Sequence, residues 1–119
     1  NIQSKILKIY LMNLGNIRNI CAHDEKLYDV VLTRRINITE YHKKLGLIKK
    51  NFKVANSTRD LFSIVIILKI LLEEESFNEF YKKIIKEIER LEKSLTTISI
   101  NKVLYKMGFP KNYKKLLNL

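Results

Sequence analysis

Residues 57 to 95 read STRDLFSIVIILKILLEEESFNEFYKKIIKEIERLEKSL, and this stretch decides the fold. Its first half holds twelve residues, 61 to 72, that are apolar at ten positions and interrupted only by Ser63 and Lys69. A helix that is apolar on nearly every side belongs at the centre of a helical protein. The run is too short to cross a bilayer. Ser57-Thr58-Arg59-Asp60 resembles a capped helix start. Glu73-Glu74-Glu75 would oppose the dipole at the C-terminal end of that helix, so it reads as the approach to a turn. Ser76-Phe77-Asn78-Glu79 has the spacing of a capping box. The helix it opens would carry Phe77, Phe80, Tyr81, Ile84, Ile88, Leu91 and Leu95 on one side. Lys82, Lys83, Lys86, Glu87, Arg90 and Lys93 would lie away from it.

Working outward, residues 2 to 22 show one broad apolar helical face through Ile2, Ile6, Tyr10, Ile17 and Cys21, with Leu7, Leu11 and Leu14 alongside. Residues 24 to 38 are less regular. Thr39 is placed to cap a short helix from Glu40 to about Leu45, stopped by Gly46. Residues 47 to 56 read as a basic connection. Beyond the break at 96 to 99, a short helix from Ile100 to Met107 stops at Gly108-Phe109-Pro110, and a last short helix covers Asn112 to Leu117. The expectation is an all-α bundle forming a single domain over residues 1 to 119.

Composition narrows the chemistry. One cysteine, Cys21, allows no internal disulfide and fits a reducing, cytoplasmic setting; the residue itself reads as core. One cysteine and two histidines argue against a structural zinc site, and no cofactor or metal is expected. No signal peptide or membrane span is read. The chain begins with Asn1 and its first residues already look helical, so a C-terminal fragment of a longer protein is expected.

The net charge of +11 is localised. Residues 41 to 59 carry Lys43, Lys44, Lys49, Lys50, Lys53 and Arg59 without an acid, and residues 94 to 119 carry Lys102, Lys106, Lys111, Lys114 and Lys115 without an acid. These eleven side chains account for the whole excess of 23 basic over 12 acidic residues. Charge concentrated in two segments suits a polyanion partner, RNA above all, although solvated lysine faces would look the same. His42 reads as a surface histidine. Arg34-Arg35 could grip an RNA backbone or cover a solvated turn. Tyr105 and Phe109, set among lysines, could stack on bases, but packing of the final helix against the core is the favoured reading.

Residues 16 to 29, NIRNICAHDEKLYD, hold the remaining chemistry. On a continuous helix Arg18 and His23 differ by about 140° and share no face. Asn19 and His23, four apart, do share one. Histidine can move protons near neutral pH, and a guanidinium fork matches phosphate oxygens. Together they suit metal-free attack of a ribose 2′-hydroxyl on its own phosphate. Spacing alone leaves the other reading open, a helix end whose carbonyls are satisfied by Asn19 or His23.

RNICAHDEKLY resembles the motif of the Abi-like family, the phage abortive-infection proteins of the AbiD and AbiF branch, within the HEPN superfamily. Arg18, Asn19, Ala22 and His23 match its R-N-x-x-A-H pattern, and Leu27-Tyr28 fit the pair that follows. Met107-Gly108-Phe109-Pro110 resembles the family's M-G-F-P segment near its end, with Tyr113 where an aromatic is usual. Asp24 replaces a frequent second histidine, and Lys26 replaces an arginine.

The resemblance implies a HEPN-like helical bundle, a metal-independent ribonuclease, and a homodimer whose two R-x4-H motifs line one cleft. Arg18 and His23 would be the catalytic pair and Asn19 the supporting polar residue. From the charge pattern and not from the resemblance, Arg34, Arg35, Lys43, Lys44, Lys49, Lys50 and Lys53, with Lys26 beside the motif, are the expected RNA-binding residues. An antitoxin or regulatory RNA could restrain the activity. Abi-like proteins are longer, so the first HEPN helices would be absent here. The competing expectations are a non-catalytic RNA- or protein-binding helical module and a purely structural dimerisation domain.

Overall fold

A computed structural model describes residues 3–22, 31–32, 34–47, 58–95 and 99–119. It is all-α, with no strand among the described residues. In chain order it has α1 (Ser4–Ala22), α2 (Glu40–Lys44), α3 (Leu61–Leu71), α4 (Glu74–Ser94) and α5 (Ile100–Met107). A 3-10 helix at Tyr113–Asn118 follows.

The central position expected of α3 is found. Phe62 to Ile67 are buried without a gap, and α1 and α4 both pack against this helix. Burying side chains such as Phe62, Ile66 and Ile67 contributes about 1.5–3 kcal/mol each. Only a small polar residue fits such a run, and Ser63 fits because it is used. Its backbone N–H and hydroxyl donate to the Asp60 carboxylate at 3.1 and 3.0 Å, and its hydroxyl oxygen accepts from the Asp60 N–H at 3.0 Å. The cap of α3 is therefore Asp60, in a reciprocal box that satisfies amides left over at the helix start.

The start of α4 differs from expectation. Glu74 and Glu75 form its first turn, Glu73 is the cap residue without a side-chain cap bond, and Ser76 lies inside the helix. α3 ends at Leu71, and Leu72 turns the chain with an extended ψ of 154°. The acidic run therefore meets the positive end of the next helix dipole, not the negative end of the previous one. The expected apolar face holds where it matters, with Phe77, Tyr81 and Ile88 buried, while Leu91 near the end is exposed. Phe77 stacks on Tyr81 at 5.3 Å between ring centroids, and Lys69 of α3 sits 4.9 Å from the Phe77 ring.

α1 buries Tyr10 and packs Ile6, Ile9, Leu14 and Ile17 against the core. Leu11, expected on the apolar side, is 55% exposed, whereas Asn13 is fully buried. Asn13 is on the core-facing arc because it ties α1 to the extended segment beside it. Its amide donates to the Arg34 carbonyl at 2.9 Å and accepts from the Arg34 N–H at 3.4 Å. Tyr10 adds a 2.7 Å bond to the Asn37 side chain. That segment is pinned on its other side by Leu32 and Ile36 N–H donating to the Arg59 and Thr58 carbonyls at 2.6 and 2.9 Å.

Thr39 caps α2 as expected, and Gly46 follows with φ of 73°. His42 overturns its surface assignment, being 0% exposed. Its Nδ1 accepts from the Thr39 N–H at 3.0 Å, so the imidazole does what a glutamate or glutamine does in a capping box. α5 and its stop appear where the sequence places them. Ser99 caps the start, and Gly108 closes the end in the left-handed conformation, φ 79°. Phe109 then enters the core against Phe62 and Tyr113, at 4.9 and 5.8 Å. The buried Tyr81 hydroxyl donates to the Tyr113 carbonyl at 2.7 Å and locks the C-terminal segment to α4.

Candidate functional site

Arg18 and Asn19 lie on the last part of α1, and both are exposed. The core-facing arc runs through Tyr10, Asn13, Leu14 and Ile17, so Arg18 flanks it and Asn19 lies opposite, by helical geometry. His23 follows the described part of α1 and lies outside the described residues, as does Lys26. The side chain of Cys21 is likewise outside what is described.

Arg34 and Arg35 follow on the segment bound to α1. The Arg34 backbone is held by Asn13, which precedes Arg18 by five residues, about 7.5 Å along the helix axis. The Arg34 side chain is exposed. Arg35 is also exposed but its guanidinium is engaged, donating to the Thr58 hydroxyl at 2.6 Å. Arg59 is held as well, with Nε and Nη2 both donating to the Leu32 carbonyl at 3.1 and 3.0 Å. Of these three arginines, Arg34 presents the side chain most available to a phosphate; the other two bind this chain itself.

Lys43 and Lys44 are exposed at the end of α2. Lys49, Lys50 and Lys53 lie outside the described residues. Lys43 and Lys44 have neighbours the sequence did not announce. Asn112 donates to the Leu45 carbonyl at 3.1 Å, and Lys115 Nζ donates to the Lys44 carbonyl at 3.3 Å. The C-terminal basic segment thus docks on the end of α2. Lys114 of this segment is paired, because its ammonium meets Glu89 at 3.0 Å, a contact that raises its pKa. Lys44 has a looser partner in Glu40, at 3.7 Å between two exposed groups.

Beside this junction is a cleft of about 440 Å³ lined by Leu47, Asp60, Tyr105, Lys106, Gly108, Phe109 and Pro110. Gly108 lies so close to the Asp60 carboxylate that a Cβ at this glycine would overlap it. Burial raises the Asp60 pKa above its ordinary value of 3.8, against the lowering effect of its bonds to Ser63 and neighbouring amides. Phe109 meets its expected packing role. Tyr105 does not, being 84% exposed, because α5 turns this residue outward while Leu104 faces in. The Met107-Gly108-Phe109-Pro110 segment has a structural explanation complete in itself, as helix stop, close approach to Asp60 and core anchor.

Sequence reasoning missed Asn13 and the cap role of His42. Asn13 lay at helical spacing with Tyr10 and Ile17, and that position on an apolar arc was the available signal. His42 stands three residues after Thr39, at the capping-box position. Among the described residues no group of three or more histidine, cysteine or acidic side chains could hold a metal ion, and no helix is long and apolar enough to cross a membrane. No protein-family model, curated protein or solved structure matches this chain.

Proposed function

We propose that this chain belongs to an Abi-like abortive-infection protein of the HEPN type and cleaves RNA in phage defence, in the cytoplasm, without a metal ion. The observation that carries the reading is the R-N-x-x-A-H motif on α1 with Arg18 and Asn19 both exposed to solvent. Their exposure leaves both side chains open to a phosphate or a partner.

In the proposed reaction the ribose 2′-oxygen attacks the adjacent phosphorus while the His23 imidazole takes its proton. The Arg18 guanidinium stabilises the added negative charge on the phosphorane oxygens. The P–O5′ bond breaks, the 5′-oxygen takes up a proton, and the products are a 2′,3′-cyclic phosphate and a 5′-hydroxyl. Asn19 is a positioning residue for the imidazole. Because Arg18 and His23 do not share a face of one regular helix, a homodimer that brings two motifs together supplies a complete site. An antitoxin or regulatory RNA would act by blocking that cleft.

The test is end-labelled RNA incubated with the protein in EDTA, beside His23→Ala and Arg18→Ala. The reading requires cleavage that persists in EDTA, leaves cyclic-phosphate ends and is lost in both variants. Cleavage that survives His23→Ala sinks it. The second reading, a non-catalytic RNA-binding module, is favoured by the docking of the C-terminal lysines on α2.

A further inference from the structure

The two acid-free segments are far apart in the chain, yet their basic residues meet. Asn112 and Lys115 bond the carbonyls of Leu45 and Lys44, 67 and 71 residues away. This brings Lys43 and Lys44 together with Lys111 and Lys115, all exposed. Leu47 and Pro110, which continue from these groups, line the cleft whose rim carries Tyr105 and Lys106. On α5, Lys102, Tyr105 and Lys106 are exposed, and their spacings of three and four residues put them along one stripe. Tyr105 is 84% exposed, an apolar ring left in water beside ammonium groups.

We propose that this junction of α2, α5 and the C-terminal segment is the surface that holds single-stranded RNA, with Lys43, Lys111 and Lys115 on the phosphates and Tyr105 stacked on a base. The proposal rests on the RNA-directed reading above and supplies it with a substrate-holding surface away from the Arg18 motif. The charge pattern favours a polyanion. The exposed tyrosine favours one with accessible base faces, because a duplex keeps its bases stacked on one another and offers none to a side chain. Lys114 is outside the surface, since Glu89 neutralises it.

The experiment is fluorescence anisotropy with a labelled 2′-O-methyl single-stranded oligonucleotide of mixed sequence, which lacks the attacking hydroxyl and reports binding alone. A duplex of the same sequence is the comparison. Lys43→Gln/Lys111→Gln/Lys115→Gln should weaken single-strand binding about tenfold in 0.1 M salt and reduce the slope of log K against log salt by about 2. Tyr105→Ala should weaken single-strand binding about tenfold and leave duplex binding unchanged. Lys82→Gln/Lys83→Gln/Lys86→Gln on α4, with the same loss of charge, should bind as the unaltered protein does. Far-UV circular dichroism establishes that each variant is folded.

Equal weakening by the two triple variants, or wild-type binding by the first of them, overturns the proposal, as does an unaltered protein that does not bind the oligonucleotide. Tight binding that depends on this surface, in a protein that never cuts RNA, supports the surface and removes the nuclease. Cutting of RNA by a protein whose binding ignores these lysines does the reverse.

Discussion

Replacing Gly108 by alanine tests how the C-terminal segment is held, and Gly46 supplies its control. Both glycines end a short helix with nearly the same backbone, φ 79° and φ 73°. An alanine at either position pays about 1–2 kcal/mol for the left-handed conformation. At Gly46 nothing lies within 4 Å of the added Cβ, so that strain is the whole effect. At Gly108 the Cβ would overlap the Asp60 carboxylate, which must move. Moving it loosens the bonds from Ser63 that cap α3, and loss of an N-cap costs about 0.5–2 kcal/mol. Gly108→Ala should therefore destabilise by about 2–4 kcal/mol and Gly46→Ala by about half as much. Urea unfolding followed by circular dichroism at 222 nm, with equal m-values, reads both. Equal losses for the two variants would refute the claim that Gly108 is required by contact with Asp60 and not by its φ alone.

His42→Ala should cost about 2–3 kcal/mol in the same assay, because it leaves the buried Thr39 N–H unsatisfied and opens a space, while His42→Gln should recover much of the loss by restoring the box. Tyr81→Phe should cost about 1 kcal/mol through the orphaned Tyr113 carbonyl. Asp60 gives a pH dependence whose sign follows from its raised folded pKa. The folded state holds the proton more tightly than the unfolded state, so this group's contribution is fully present below the ordinary value of 3.8 and is lost as pH rises through the higher folded value. Asp60→Asn keeps an acceptor for Ser63 and should flatten that loss as pH rises above the ordinary value of 3.8, measured as urea midpoints at fixed ionic strength. A variant as pH-sensitive in this window as the parent would show that the dependence arises elsewhere.

Local chemistry was legible wherever a short stretch contains its own cause. The apolar run from Leu61 to Leu72 announces a central helix because no polar face is left to put in water. Thr39 and Gly46 bracket α2, and Gly108 ends α5, because capping and left-handed backbone are properties of a few adjacent residues. The same locality misled at Glu73-Glu74-Glu75, where the run could close one helix or open the next. Only the two-residue turn at Leu72 and Glu73 assigns it to α4.

The motif around Arg18 and the two acid-free basic segments were likewise plain in the sequence, since composition and spacing are all they require. Tertiary structure alone decided which of these groups have neighbours. Asn13 is a polar residue whose burial depends on a partner supplied by folding, the Arg34 backbone, whereas His42 bonds the nearby Thr39 and only its burial against the core is a tertiary fact. Arg35 and Arg59 look as available as Arg34 until their guanidinium groups are found bonded within the chain. The lysines of residues 43 to 44 and 111 to 115 join because Phe109 and Tyr113 are drawn into the core beside Phe62, which carries the C-terminal segment onto α2. Side-chain type and helical period are written residue by residue. Which distant carbonyl an amide or ammonium meets is settled by packing, and packing depends on the whole chain.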